Sequence, residues 1–269
     1  PQFLREVWGL YGFGILILLL RFAVRIKTVT IRGLQWDDFF ALLVIIFYTI
    51  ASTTVHLVYL QGSNIEGVII SASRPLSDEE IDQLHEGSRQ QMLAWYTYSS
   101  LVWCLKGTMV CFYLRMTAGV ANRRVVVWLG WVCIATYVAV ELTITFGCWP
   151  YAGNFQISPD PGTKCTLKPQ NFIVMTVLNI ITDVGILSVP LPLLWALQVP
   201  LRQKIAIGLL LSSGVFIITA TIIRISVTLG SAPSALTINR WGVREVCVCV
   251  CATTAPVLRP FFTKAFWMG

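Results

Sequence analysis

Long apolar runs alternate with short polar stretches along the whole sequence, and charged residues, prolines or glycines bound each run. An apolar helix of about 20 residues crosses the ~30 Å hydrocarbon core of a bilayer. The pattern predicts seven such helices, over residues 8–24, 37–61, 89–115, 124–147, 170–197, 203–229 and 241–264. We therefore expect residues 1–269 to form a single domain of the all-α integral membrane class, a bundle of seven transmembrane helices.

The composition supports a membrane protein. Hydrophobic residues make up 56% of the chain and charged residues only 12%, which departs strongly from ordinary soluble usage. The net charge of +7 would suit a nucleic-acid-binding protein, but the basic residues cluster beside the apolar runs, where such residues set membrane topology. The lipid bilayer is the expected partner, and no nucleic acid is expected.

The distribution of basic residues predicts the orientation of the bundle. Eleven Lys and Arg residues fall in the first, third and fifth connections and in the tail, against seven over the longer connections of the other side. The side with more basic residues in its short loops is normally the cytoplasm. The N-terminus is therefore expected outside and the C-terminus in the cytoplasm.

The positions of the cysteines agree with this orientation. Cys148 and Cys165 are the only two of the eight cysteines that lie in a loop, and that loop is assigned to the oxidising side, so we expect a disulfide between them. Cys247, Cys249 and Cys251 look like a metal motif, but a step of two residues turns about 200° around a helix. Neighbouring thiols then face apart, and no metal site is expected.

Ionisable residues inside the apolar runs are the candidate functional groups. A charge at bilayer depth costs at least about 2.5 kcal/mol and normally has a partner or a task. Asp183 lies in the middle of the fifth predicted helix, one turn after Asn179, and Lys106 lies at a similar depth in the third. We expect Lys106 and Asp183 to pair. A second group, within about two turns of the outer helix ends, consists of His56, Glu141, Arg224 and Glu245.

Together these residues predict a cavity between the helices that opens outward. The Lys106–Asp183 pair would form its floor, the charged group its rim, and four aromatic residues its apolar wall: Trp95, Tyr96, Tyr98 and Trp103. The candidate ligand-binding residues are His56, Trp95, Tyr98, Trp103, Lys106, Glu141, Asn179, Asp183, Arg224 and Glu245. A purely structural role is the alternative, because buried ion pairs and hydrogen bonds between helices also hold a bundle together.

Two acidic motifs have a simpler interpretation as helix starts. Asp37 and Asp38 lie at the cytoplasmic start of the second helix, where carboxylates suit the positive end of the helix dipole. Ser77 followed by Glu80 matches a capping box and predicts a short outer helix that leads into the third span.

Five stretches together resemble one family. They are GLQWDDFFALL (33–43), LKGTMVCFYLRM (105–116), CWPYAGNF with KC (148–155 and 164–165), NIITDVGILSVPLPLLWALQ (179–198) and APVLRPFF (255–262). In this order they are similar to the fungal rhodopsin-like domain of the satratoxin-cluster integral membrane proteins, which is also similar to the fungal GPCR-like pathogenicity receptors. The resemblance implies a multi-pass, seven-helix protein of the plasma membrane or an endomembrane in a filamentous fungus. Some members are treated as receptors of surface or hydrophobic cues, and others are encoded in specialised-metabolite gene clusters.

A receptor-like binder is the first functional hypothesis. A hydrophobic small molecule would enter the cavity from outside or from lipid, and the basic inner loops would contact a cytoplasmic signalling partner. Arg115 lies at the cytoplasmic end of the third helix, where receptors of the rhodopsin class carry a switch arginine, although no acidic residue precedes it here. A retinal photoreceptor is not expected, because the only lysine of the seventh helix, Lys264, lies at the membrane edge.

A membrane-embedded enzyme is the alternative, of the cyclase or isomerase type in a specialised-metabolite pathway. Glu141 is the candidate proton donor, because burial keeps a carboxyl group protonated, and Asp183 would orient or stabilise the substrate. The chain has no HExxH motif, no Gly-rich phosphate loop and no nucleophile elbow. Such an enzyme would use no cofactor.

Overall fold

The computed structural model describes residues 2–71, 73–116, 123–189, 219 and 235–262. In chain order its helices are α1 (Gln2–Val29), α2 (Trp36–Gln61), α3 (Asn64–Ser71), α4 (Asp78–Met116), α5 (Arg123–Phe146), α6 (Thr163–Thr166), α7 (Pro169–Ser188) and α8 (Ala235–Thr254). Short 3₁₀ helices occur at Ile31–Gly33, Tyr151–Asn154 and Arg259–Phe262. None of the described residues belongs to a strand, so the predicted all-α class is confirmed for this part of the chain.

The long helices lie side by side and alternate in direction. At one end of the bundle, here called the disulfide end, a Cys148–Cys165 disulfide closes the loop between α5 and α7. At the other end, here called the basic end, Arg21 of α1 and Arg115 of α4 both contact Asp37 of α2. Helices α1, α4 and α7 run from the disulfide end to the basic end, and α2 and α5 run back.

Helix α8 breaks this alternation, because it runs in the same direction as α7. Glu6, near the start of α1, lies 3.1 Å from Arg240 and 2.5 Å from Arg244, so α8 begins at the disulfide end. The sixth predicted span, 203–229, lies outside the described residues except for residue 219, and the fifth is described as far as residue 189.

Four of the described segments are long and apolar enough to cross a membrane: Gln2–Val29, Trp36–Ser71, Arg123–Phe146 and Pro169–Ser188. They correspond to the first, second, fourth and fifth predicted spans. Helix α4 contains the third predicted span, and α8 covers the seventh as far as Thr254, after which turns and the 3₁₀ helix at Arg259–Phe262 follow. Both helices are less apolar because they carry polar residues that face other helices. Helix α4 packs against α2, α5, α7 and α8, and the polar residues that it buries include Ser88, Gln91, Thr97, Ser99 and Lys106.

The faces of the spans that point away from the bundle are apolar. On α5, the side chains of Trp128 and Trp131 are 72% and 62% exposed. Similar exposed apolar residues occur on α1 and α7, such as Leu16 and Ile181. Soluble proteins rarely expose apolar surface of this extent, whereas lipid is the natural solvent of such faces.

The capping box predicted at the start of α4 is present. The Ser77 N–H donates to the Glu80 carboxylate at 3.0 Å, and the Glu80 N–H donates to the Ser77 hydroxyl at 3.3 Å. Hydrogen bonds from Arg74 and from the Ser77 backbone lower the pKa of Glu80 to about 2. The predicted short outer helix is not a separate element, because no proline interrupts residues 78–116 and one helix of 39 residues runs through to Met116.

Buried ion pairs join three helices at the basic end. Asp37 lies 2.9 Å from Arg21 and 3.5 Å from Arg115. Asp38 lies 2.8 Å from Arg25. We call these five residues the basic-end cluster. Because the arginines come from α1 and α4 and the carboxylates from α2, the cluster fixes the relative positions of these helices.

Asp38 also has the role that its position in the sequence predicted. Its carboxylate accepts a hydrogen bond of 3.1 Å from the Gln35 N–H, and the two residues form a capping box at the start of α2. Capping was therefore predicted correctly for Asp38, but it is only part of the role of this carboxylate, which also neutralises arginines.

Candidate functional site

A small cavity lies between four helices in the half of the bundle nearer the disulfide end. Its volume is about 60 Å³. It is lined by Tyr48, Ala51, Ser52 and Val55 of α2, Gln91, Ala94, Trp95, Tyr98 and Leu101 of α4, Phe172 of α7, and Asn239, Gly242, Val243 and Val246 of α8. Most of this lining is apolar, and the rings of Trp95 and Phe172 meet edge to face, with their centroids 4.6 Å apart. The cavity is thus a hydrophobic space with a few polar groups.

Three polar groups of this lining have no hydrogen-bond partner within the described part of the chain. They are Ser52 Oγ, Gln91 Oε1 and Asn239 Nδ2, and each belongs to a different helix. A buried polar group without a partner costs about 1–3 kcal/mol. Their presence around one cavity therefore favours an occupant that can form hydrogen bonds, either water or the polar part of a ligand.

A chain of polar contacts begins at the cavity wall and crosses the bundle. Tyr98 lines the cavity, and its hydroxyl donates a hydrogen bond of 3.0 Å to Glu245 Oε2. The Asn179 side-chain amide approaches Glu245 Oε1 to 3.5 Å. Lys106 Nζ donates to the Asn179 carbonyl at 3.3 Å and to Asp183 Oδ1. We call Tyr98, Lys106, Asn179, Asp183 and Glu245 the polar network; it joins α4, α7 and α8.

The charges of this network are well enclosed. Lys106 is 4% exposed and Glu245 is 1% exposed, whereas the Asp183 side chain is 16% exposed. Lys106 Nζ also lies 5.8 Å from the centre of the Trp103 ring, which is within the range of cation–π attraction. The expected pairing of Lys106 with Asp183 is present in the structure, but the pair does not form the predicted floor, because neither residue lines the cavity. Trp103 contacts this pair and does not line the cavity either.

The remaining predicted residues lie elsewhere. Glu141 accepts a hydrogen bond of 2.5 Å from the Ser99 hydroxyl where α4 packs against α5. His56 accepts a hydrogen bond of 3.1 Å from the Trp8 indole, between α1 and α2. Neither residue lines the cavity, so the rim predicted for it is not assembled from these two side chains. Arg224 lies outside the described residues.

Uncharged polar residues were missed by sequence reasoning. Ser52 and Gln91 are polar positions inside or beside predicted spans, and Asn239 lies just before the seventh. Such residues are common in helix interfaces, where they bond to neighbouring backbone, so their presence alone does not indicate a site. Only the location of all three around one cavity distinguishes them.

One further buried lysine lies at the disulfide end. The Lys168 side chain is 3% exposed, and its Nζ donates a hydrogen bond of 2.6 Å to the Cys165 carbonyl. Desolvation by burial lowers the pKa of Lys168 to about 8. Lys168 is therefore part of the packing around the disulfide loop and does not itself line the cavity.

Comparison with known proteins agrees with the motifs. The family described as the fungal rhodopsin domain matches residues 20–264, which is nearly the whole chain. The chain belongs to the fungal rhodopsin domain family. It is similar to a SAT4 family membrane protein of Emericella nidulans, with 25% identity over 174 residues, which are 63% of this chain and 44% of that protein. The match thus spans less than half of the relative. No solved structure matches.

Family membership and the apolar helices together make this a multi-pass integral membrane protein. Its helices are surrounded by lipid, and the cavity and the polar network lie between them, away from the exposed apolar faces. In a bilayer, charged residues that face the interior of a bundle in this way are associated with function more often than with packing alone.

Proposed function

We propose that the chain is a seven-helix, receptor-like protein that binds a hydrophobic small molecule in the cavity beside Tyr98. The N-terminus lies outside and the C-terminus in the cytoplasm, so the cavity opens toward the outside. The observation that carries the proposal is the double role of Tyr98, which lines the cavity and whose hydroxyl donates to the buried carboxylate of Glu245. Occupation of the cavity is thereby linked to the polar network.

The direction of the helices supports the seven-helix count. Helix α7 ends at the basic end and α8 begins at the disulfide end, which supports one further span in the connection between them. Residues 203–229 form an apolar stretch of suitable length in this connection. Two helices that follow each other and run in the same direction are expected to be joined by such a crossing.

The lining of the cavity indicates the chemistry of the ligand. The aromatic and aliphatic wall suits an apolar body, and Ser52, Gln91 and Asn239 can bind one or two polar groups. A hydroxyl, carbonyl or carboxyl group on a lipophilic molecule would satisfy them. The expected ligand is therefore a small amphiphilic compound that partitions into membranes.

The volume of the cavity indicates that binding changes the bundle. A space of about 60 Å³ holds about two water molecules, whereas ligand sites usually have volumes of about 300 Å³ or more. A ligand would therefore have to separate α8 from α2 and α4. This movement would alter the Tyr98–Glu245 contact and, through Lys106 and Asp183, the position of α7. A cytoplasmic signalling partner that contacts the basic end would then respond to the displacement of α7.

The enzyme hypothesis is less well supported. A carboxyl group that protonates a substrate has to reach it, but Glu141 is hydrogen-bonded to Ser99 on another face of α4, and Asp183 is paired with Lys106. Neither carboxyl group lines the cavity. The receptor-like function therefore agrees better with the positions of these acids.

Binding to detergent-purified protein tests the proposal. Lipophilic compounds with one or two polar groups are screened for a rise in melting temperature. For a hit, Gln91→Leu is expected to weaken binding about tenfold, because a buried hydrogen bond is lost. Gln156→Leu, a change at a half-buried position in the loop after α5 that does not line the cavity, serves as the control and should leave binding unchanged. A hit that binds both Gln91→Leu and Trp95→Ala with the affinity it has for wild type would contradict binding in this cavity.

A further inference from the structure

A second, larger apolar space lies on the outer side of α4, between α2 and α5. It is a groove of about 470 Å³, and its walls include Phe40, Phe47, Trp103, Ile134 and Tyr137. Its volume is in the usual range of ligand sites. The groove belongs to helices that cross the membrane and opens between two of them, so the molecules that reach it directly are lipids.

Two glycines line this groove, Gly107 of α4 and Gly130 of α5. A Cβ atom on Gly107 would lie only 2.9 Å from the Phe40 ring, so the chain at Gly107 packs closely against this ring. A Cβ atom on Gly130 would make an ordinary contact with Val110 at 3.4 Å. A larger side chain at position 130 would therefore occupy part of the groove.

The groove adjoins a second space at the basic end. A pocket of about 650 Å³ there is lined by Trp36, Asp37 and Arg115, among others. Cys111 and Leu114 line both the groove and this pocket. We call the two adjoining spaces the channel; it is apolar along α4 and has two charged side chains in its mostly apolar wall where α4 ends.

The basic-end cluster behind this end of the channel carries an excess positive charge, because three guanidinium groups share two carboxylates. Of the five residues of the cluster, Asp37 and Arg115 line the channel itself. The side chains of Arg21 and Arg25 are 1% and 9% exposed, whereas that of Arg115 is 31% exposed. Arg115 is held less closely, 3.5 Å from Asp37. An additional anion would therefore bind at Arg115.

We infer that this channel binds one anionic phospholipid, with its phosphate at Arg115 and one acyl chain in the groove along α4. The exposed indole of Trp36 lies beside the phosphate position, as tryptophans do at the level of lipid headgroups. The lipid comes from the leaflet at the basic end. This site is separate from the cavity beside Tyr98, and the inference does not depend on the receptor-like function.

The inference predicts a selectivity that depends on one arginine. The full chain is purified in detergent and mixed with phosphatidylserine or phosphatidylcholine of the same acyl chains, and lipid retention is measured by native mass spectrometry. We expect stronger retention of phosphatidylserine. Arg115→Gln should lower its apparent affinity about fivefold and remove the preference, since one basic residue contributes that factor near a membrane surface.

Two matched variants separate this site from general effects of charge and folding. Arg124→Gln removes one charge from the exposed start of α5 and should retain the preference. Arg115→Lys keeps the charge and should retain most of the affinity for phosphatidylserine that Arg115→Gln loses. If Arg115→Gln and Arg124→Gln lost the preference for phosphatidylserine to the same extent, the inference would be overturned, because the preference would then follow net charge alone.

The role of the groove is tested in the same assay. Gly130→Leu fills part of it and should weaken retention of both lipids, whereas Val132→Phe, on α5 outside the groove lining, should not. Glycerophosphoserine, which has the headgroup but no acyl chains, should not compete at the concentrations at which the lipid binds. Competition by this headgroup at those concentrations, or no effect of Gly130→Leu, would show that the groove holds no chain.

Discussion

The Tyr98 hydroxyl donates a hydrogen bond of 3.0 Å to the carboxylate of Glu245, a residue 147 positions further along the chain. This contact joins α4 to α8 at the place where the cavity wall meets the polar network. A buried carboxylate needs donors, because an unpaired charge inside a bundle is costly. Tyr98 is therefore the residue through which a change in the cavity reaches the buried charges.

Removal of the Tyr98 hydroxyl should destabilise the protein. Tyr98→Phe takes a donor from a buried carboxylate, and we expect a loss of about 1–3 kcal/mol in the free energy of unfolding. Tyr96→Phe is the matched control; the Tyr96 hydroxyl bonds to the Thr145 hydroxyl, which has a second partner in the Glu141 carbonyl. Denaturation of the detergent-purified variants measures both. A loss for Tyr98→Phe no larger than that of Tyr96→Phe would contradict this role.

The Lys106–Asp183 pair should show strong coupling. Lys106→Met leaves Asp183 without its cation, and Asp183→Asn leaves Lys106 without its anion, so each single change should cost about 3–5 kcal/mol. The double variant leaves no unpaired charge and should be more stable than either single variant. Unfolding of all four proteins gives the coupling energy. Additive losses would mean that the two charges act independently.

The stability should depend on pH through Lys168. Burial lowers its pKa in the folded protein from 10.5 to about 8. Between these values the unfolded chain binds a proton that the folded chain does not, so the stability rises with pH across this window and is lower below it. Lys168→Met should remove this rise and be more stable than wild type near neutral pH.

Melting temperatures from pH 7 to pH 10.5 measure this effect. Other groups titrate in the same range, so the relevant quantity is the difference between wild type and variant. Lys164→Met, at an exposed position of the same loop, should keep the rise seen in wild type. A parallel pH dependence in wild type and Lys168→Met would show that this amine is normally solvated.

The disulfide should contribute to stability by restricting the loop between α5 and α7. Its cysteines are 17 positions apart, for which the loss on removal is about 3 kcal/mol. The double variant Cys148→Ser and Cys165→Ser should melt at a lower temperature, and a reducing agent should lower the melting temperature of wild type to the same extent. Cys111→Ser, at a cysteine outside any disulfide, is the control. A reductant that also destabilises the double variant would point to a different target.

Contacts between residues that lie at the same depth in the membrane could be predicted from the sequence. A helix rises a fixed distance per residue, so Lys106 and Asp183 could be placed at similar depth, and opposite charges at one depth tend to pair. The Cys148–Cys165 disulfide was predictable for a similar reason, because both cysteines lie in the same loop. The family followed from motifs in a fixed order.

The rotation of each helix was not predictable in this way. His56 and Glu141 were both predicted to lie near the outer helix ends around the cavity, but His56 contacts α1 and Glu141 contacts Ser99 between α4 and α5. The side on which a residue lies depends on which helices are neighbours. The arginine partners of Asp37 and Asp38 were missed for the same reason, since Arg115 is separated from Asp37 by 78 positions.

The sequence by itself determined that the chain is helical, lies in a membrane and carries a disulfide loop, because hydrophobic length, periodicity and short-range spacing act along one dimension. The tertiary structure alone decided that Tyr98 connects the cavity to Glu245, that Ser52, Gln91 and Asn239 surround one space, and that Arg115 lies in the pocket that adjoins the groove along α4. These relationships depend on how helices turn toward one another, and that is set by the packing of all of them together.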